Sequence, residues 1–111
     1  MKATIYHNPR RSTSRQVLDM LHDAGADVTV IDYLKTPPSK EELRRLYASA
    51  GLTPEQGLRT KEDAAAPLAG AGDDAILEAM AANPILIERP LVETEKGVRL
   101  GRPRESIREI L

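Results

Sequence analysis

The sequence predicts an α/β fold: a βαβ opening, a helical middle and a ββα ending, built on a mixed sheet. Three observations predict it. The hydrophobic period changes from two to 3.6 and back to two within the first 36 residues. Helical stripes then run through residues 39–82, and short apolar runs punctuated by proline follow residue 83. A chain of 111 residues, 41% of them hydrophobic, suits one domain and is too short for two independent cores. The boundaries expected are a first half over 1–36, a second half over 83–111, and a helical insertion over about 37–82.

The elements follow in order. Ala3 and Ile5 alternate with Thr4 and Tyr6, and Asn8-Pro9 ends that strand in a loop. From Ser12 the chain turns helical, with Val17, Leu18, Leu21 and Ala24 on one face and Gly25 as the stop. Val28, Val30 and Ile31 form a second strand, and a right-handed crossover sets it parallel to the first. Ser39 and Glu42 have capping-box spacing ahead of the stripe Leu43, Leu46, Tyr47 and Ala50. Thr53, Pro54 and Gln56 start a short helix. Ala64 to Gly72 reads as a loop, and Asp73 or Asp74 as the cap of a helix carrying Ile76, Leu77 and Met80. Ile85-Leu86-Ile87, bounded by two X-Pro pairs, reads as a central buried strand. Leu91-Val92 and Val98 with Leu100 form strands joined by a turn at Lys96-Gly97. Pro103 opens a terminal helix with Ile107, Ile110 and Leu111 on one side.

Composition excludes several function classes. Sixteen basic residues face 17 acidic ones, so the net charge of −1 does not suit a nucleic-acid binder. No apolar run is long enough for a membrane span, and the N-terminus turns polar too soon for a signal peptide, so a cytoplasmic location is expected. The chain has no cysteine, which removes disulfides, thiolate metal sites and any nucleophile of that kind. With His7 and His22 as the only histidines, no metal centre is expected. Phe and Trp are absent too, leaving Tyr6, Tyr33 and Tyr47 as the aromatic part of the core.

The first loop concentrates polar chemistry: His7-Asn8-Pro9-Arg10-Arg11-Ser12-Thr13-Ser14-Arg15. It joins a strand to a helix N-terminus, where unpaired N–H groups and the positive end of the helix favour anions. The same residues also fit a helix capped by Ser12 or Thr13 with solvated arginines. It is not a P-loop, because the glycines and the lysine are missing. His7 fits either a role in tuning that loop or a structural hydrogen bond. Arg59, Arg89 and Arg102 are further candidates, the last two held in extended backbone by the proline that follows each. Arg89-Pro90 is a candidate cis peptide.

Five motifs taken together are specific: Thr4-Ile5-Tyr6-His7-Asn8-Pro9, Ser14-Arg15, Tyr33-Leu34-Lys35-Thr36-Pro37-Pro38, Asn83 to Pro90, and Gly101-Arg102-Pro103. In this order they span nearly the whole chain, which resembles the ArsC/Spx family. The resemblance implies a thioredoxin-like fold with a helical insertion between its halves. It implies reduction of arsenate to arsenite, with glutathione and glutaredoxin as external reductants, no bound cofactor and a monomeric enzyme. In that family a cysteine at the helix N-terminus forms a thiol-arsenate adduct. His7, Ser14 and Arg15 match the residues that lower its pKa. Arg59, Arg89 and Arg102 match the arginines that hold the oxyanion, and Pro90 matches the cis-proline.

One residue departs from the pattern. Arg11 stands where the family has its catalytic cysteine, and a guanidinium is not a nucleophile. Ser12 is adjacent, but a neutral hydroxyl with no base to activate it does not replace a thiolate. The chain is therefore expected to keep an oxyanion pocket, with Ser12 and Thr13 beside the arginines, for arsenate, phosphate or sulfate, and to lack the family's turnover. Three accounts are compatible with this: a pseudoenzyme, a cysteine-to-arginine substitution in an ordinary reductase, or a regulatory protein of the Spx branch that binds RNA polymerase or another partner. Retention of Arg59, Arg89 and Arg102 favours the oxyanion lineage.

Overall fold

The computed structural model describes residues 1–111. The chain separates into two compact units, one of residues 1–36 and 89–111 and the other of residues 37–88.

The first unit holds the sheet. Strand β1 (Lys2–His7) leads through helix α1 (Ser12–Asp23) to β2 (Asp27–Asp32), and β3 (Leu91–Thr94) and β4 (Gly97–Leu100) close the sheet in the order β2-β1-β3-β4. β1 and β2 are parallel, as the crossover predicts, while β3 runs antiparallel to both β1 and β4. The register aligns Val28 and Thr94 with Ala3, and Val30 and Val92 with Ile5. That face packs on α1 and on a closing 3-10 segment, Arg104–Ile110, except at the edge strand, where Val30 stays exposed. Ala3, Ile5, Val17, Leu21, Val92, Ile107 and Ile110 form its core. Each of its fully buried Val, Leu and Ile side chains contributes about 1.5–3 kcal/mol relative to exposure. Ala24, predicted on the buried face, is instead the exposed C-cap of α1, and Gly25 takes the left-handed conformation (φ 77°) that ends it.

The terminal helix differs from its prediction in type: it is wound as 3-10, although Ile107 and Ile110 are buried as expected. Side-chain bonds tie this short end to the β3–β4 hairpin. Thr94 Oγ1 donates to the Ile110 carbonyl at 2.6 Å, and Arg99 Nε donates to Glu109 at 2.8 Å.

The second unit is helical. Helix α2 (Lys40–Ala50) is capped by Ser39, whose Oγ accepts from Glu42 N at 3.1 Å, and it buries Leu43, Leu46 and Tyr47. Helix α3 (Asp73–Ala82) buries Ile76, Leu77 and Met80, and its N-cap is Gly72. Neither Asp73 nor Asp74 caps it, because both lie in the first helical turn and favour the positive helix end by charge. Asp74 bridges to α2, 2.8 Å from Lys40 Nζ and 3.0 Å from Arg44 Nη2, and those hydrogen bonds hold its carboxyl below the usual range. Thr53 and Gln56 form a reciprocal capping box at 2.8 and 3.2 Å around a single 3-10 turn, Glu55–Gly57.

Two readings of the sequence in this unit are corrected. Asp63–Leu68 is a 3-10 segment rather than a loop, and burial of Ala65 gives it an inner side. Ile85-Leu86-Ile87 is not a strand: Pro84–Leu86 form a 3-10 turn and Ile87 makes an isolated bridge to Leu58. The Asn83 carbonyl accepts from Leu86 N at 3.1 Å, curling the run so that Ile85 points to solvent while Leu86 and Ile87 are buried. No helix is long and apolar enough to cross a membrane.

Candidate functional site

The loop between β1 and α1 is organised from inside by Ser14. Its side chain is fully buried, with Oγ 2.7 Å from His7 Nδ1 and accepting from Asn8 N at 3.0 Å. In the His7 tautomer that carries its proton on Nε2, Nδ1 accepts the Ser14 hydroxyl hydrogen. The second half of the loop is a tight turn. Asn8 Oδ1 accepts from Arg10 N at 3.1 Å, the Asn8 carbonyl accepts from Arg11 N at 3.1 Å, and Arg15 Nη1 donates to the Pro9 carbonyl at 2.8 Å. Asn8, read in the sequence only as a turn residue, is buried and acts as the pivot; an Asn two residues ahead of a needed N–H is the signal for such an Asx turn.

The alternative of a cap at Ser12 or Thr13 does not hold. The N-cap of α1 is Arg11, in extended backbone with no side-chain cap, and Ser12 is the first helical residue. Ser14, two residues further on, is turned inward to His7. α1 also has no acidic residue in its first turn, whereas α2 has Glu41 and Glu42 and α3 has Asp73 and Asp74. The exposed Arg11, at the family's cysteine position, thus stands at a positive helix end with Arg10 and Arg15 nearby in sequence. An exposed cation there opposes the helix dipole by about 0.3–1 kcal/mol.

Burial pushes the His7 imidazole below its ordinary value of 6.5, the Asp32 carboxylate opposes that shift, and Arg15 adds to it. The folded protein takes up this proton less readily than the unfolded chain. His7 therefore contributes its full share of stability above about pH 6.5 and loses it as pH falls through the lowered folded value. Denaturant midpoints should drop from pH 7.5 to pH 5.5, and His7→Gln should flatten that drop. Ser14→Ala, which leaves two buried groups unpartnered, should cost about 1–3 kcal/mol at pH 7.5. An unchanged pH profile in His7→Gln would show that another group titrates.

Arg102 lies on the segment after β4. Gly101 N donates to the Pro90 carbonyl at 2.8 Å, and a Cβ on Gly101 would lie 3.1 Å from Val17 Cγ2 and 3.0 Å from Pro90 Cγ. The bare glycine lets this segment lie against α1. It places Arg102 with Thr13, Gln16, Pro103 and Arg104 around an open pocket of about 360 Å³. Gln16 and Arg104 were not singled out in the sequence, since neither belongs to a motif and only folding brings residues 13–16 to 102–104. Arg89 is buried just before Pro90, and the Arg89-Pro90 peptide is cis as expected; so is Arg102-Pro103, which was not predicted.

Arg59 belongs to the helical unit. Its N–H donates to the Leu86 carbonyl at 2.8 Å and its Nε lies 3.2 Å from Glu62 Oε1, a largely buried ion pair. No group of three His, Asp or Glu side chains is placed to hold a metal ion.

Residues 6–110 match the sequence model of the ArsC family. An arsenate reductase of Rhizobium meliloti (strain 1021) is 47% identical over 116 residues, spanning 100% of this chain and 82% of the relative. An arsenate reductase of Escherichia coli (strain K12) is 43% identical over 112 residues, spanning 97% of this chain and 79% of the relative. Among solved structures, an arsenate reductase from Vibrio cholerae superposes with a TM-score of 0.92 at 45% identity, covering 100% of this chain and 98% of that one. The mixed sheet with its helices is accordingly the thioredoxin-like fold expected from the motifs. The chain belongs to the ArsC family, as a member without cysteine.

Proposed function

We propose that this chain binds tetrahedral oxyanions at the N-terminus of α1 and does not carry out the family's reduction of arsenate. The observation that carries the reading is Arg11 at the N-cap of a helix whose first turn has no acidic residue and no side-chain cap. The N–H groups of that turn, the helix dipole and the guanidinium all favour an anion, and a bound anion would offset the unfavourable placement of the cation. Ser12, Thr13 and Arg15 flank the position, and Arg59, Arg89 and Arg102 are the arginines matched to the family's oxyanion ligands. The family reaction draws two electrons from glutathione and glutaredoxin through a cysteine adduct. With no thiol in the chain, neither the adduct nor its resolution by glutaredoxin can occur here. We further read the chain as one ArsC-like domain with the helical unit as its insertion, acting as a cytoplasmic monomer.

An NMR titration with phosphate, sulfate and arsenate tests the binding claim. Saturable shifts in the amides of Ser12 to Arg15 are expected in the millimolar range or below. No shift at millimolar anion would mean that Arg11 blocks the pocket. Incubation with arsenate, glutathione and glutaredoxin should give no arsenite above background.

A further inference from the structure

The open pocket lined by Thr13, Gln16, Arg102, Pro103 and Arg104 has room for more than a single inorganic ion. At about 360 Å³ it falls within the range of small-molecule sites and holds about twelve waters' volume, whereas an inorganic oxyanion has five heavy atoms. Its lining also has a direction. Arg102 and Arg104 both line it, and guanidinium donors suit the several oxygens of a phosphate dianion. Arg104 is committed only to a loose contact with Glu105 at 3.7 Å, both side chains being well exposed. The Gln16 amide and the Thr13 hydroxyl each donate and accept hydrogen bonds, and the Pro103 ring offers an apolar surface. The three tyrosines are all buried, so no exposed aromatic ring is available to stack on a base. Gly101, against Val17 and Pro90, holds the start of the arginine segment beside α1, while the side chains of Gln16, Arg102, Pro103 and Arg104 themselves are exposed.

We propose that this pocket binds a phosphomonoester of a small polyhydroxylated molecule. The arginines hold the phosphate, and Gln16 and Thr13 hydrogen-bond the hydroxylated body across Pro103. The inference rests on the oxyanion reading for its phosphate end and goes beyond it in naming an organic body and the residues that hold it.

Ribose 5-phosphate and inorganic phosphate are the probes, with free ribose as control, and binding is followed by NMR including the Gln16 side-chain amide. The ester should bind about tenfold more tightly than inorganic phosphate, and free ribose should not bind. Gln16→Ala, at an exposed position of α1, should bring the ester down to the affinity of inorganic phosphate and leave the latter within twofold. Arg104→Gln should weaken the ester about tenfold. Equal affinity for ester and phosphate, or an ester indifferent to Gln16→Ala, overturns this proposal and leaves the oxyanion reading standing. Tight ester binding without inorganic phosphate binding supports the pocket and removes the simple-ion reading. Failure of both anions to bind removes both.

Discussion

Arg11→Cys should give this chain glutaredoxin-dependent arsenate reductase activity. The expected gain is large, because a catalytic nucleophile is worth on the order of 10⁴–10⁶-fold in rate. The surroundings of position 11 are those a reactive thiol needs. It is the N-cap of α1, exposed, with Arg10 and Arg15 close in sequence and no carboxylate in the first turn. Helix N-termini and neighbouring cations lower a thiol from its free value of about 8.5, so the new cysteine should titrate well below that. The buried His7–Ser14 bond and the Arg15 clamp on the Pro9 carbonyl already hold the loop in shape. The thiol's pKa, followed by its alkylation rate against pH, and arsenite formation in the presence of glutathione and glutaredoxin are the two readouts. Arg11→Ala serves as the inactive control. A folded variant with a low thiol pKa and no arsenite would show that the loss of activity extends beyond this residue.

Gly57→Ala should be the most damaging small substitution in the helical unit, costing about 3 kcal/mol, the upper part of the usual range for overpacking. Gly57 is not in a positive-φ conformation, so the cost is steric rather than conformational. An added Cβ would fall on the ring of Tyr47. That ring is 1% exposed and its hydroxyl lies 3.7 Å from Met80 Sδ, so it has little space to move into. The Gly57 carbonyl also accepts from Glu88 N at 2.8 Å, and the adjoining Leu58 bridges to Ile87, which fixes the backbone that carries Arg59. Urea unfolding of Gly57→Ala measures the loss, and pairing it with Tyr47→Leu should recover part of it. A loss under 0.5 kcal/mol would mean that the ring yields more easily than its packing indicates.

Much of the scaffold was legible because local rules and packing agree. β1 shows period two, α1 shows period 3.6, and Ser39 has the spacing that caps α2; each is built as read. The run Ile85-Leu86-Ile87 misled because three consecutive apolar residues carry no period, and such a run suits a buried strand or a buried turn equally well. Pro84 at its head and the carbonyl of Asn83 resolved it as a 3-10 turn. The cap of α1 misled for a different reason. The helix starts one residue earlier than a hydroxyl cap would set it, so Ser12 and Thr13 lie inside its first turn and Arg11 takes the cap position.

The sequence by itself determined the α/β class, the family motifs and the chemistry that is missing, since these depend on period, spacing and the bare absence of cysteine. Only the tertiary structure decided that Ser14 serves the interior of the loop, that Arg11 is left as the N-cap, and that Thr13 and Gln16 share a pocket with Arg102 and Arg104. Those three outcomes join residues from different elements. Side-chain pairings across elements are selected by burial and close approach, which spacing along the chain does not encode.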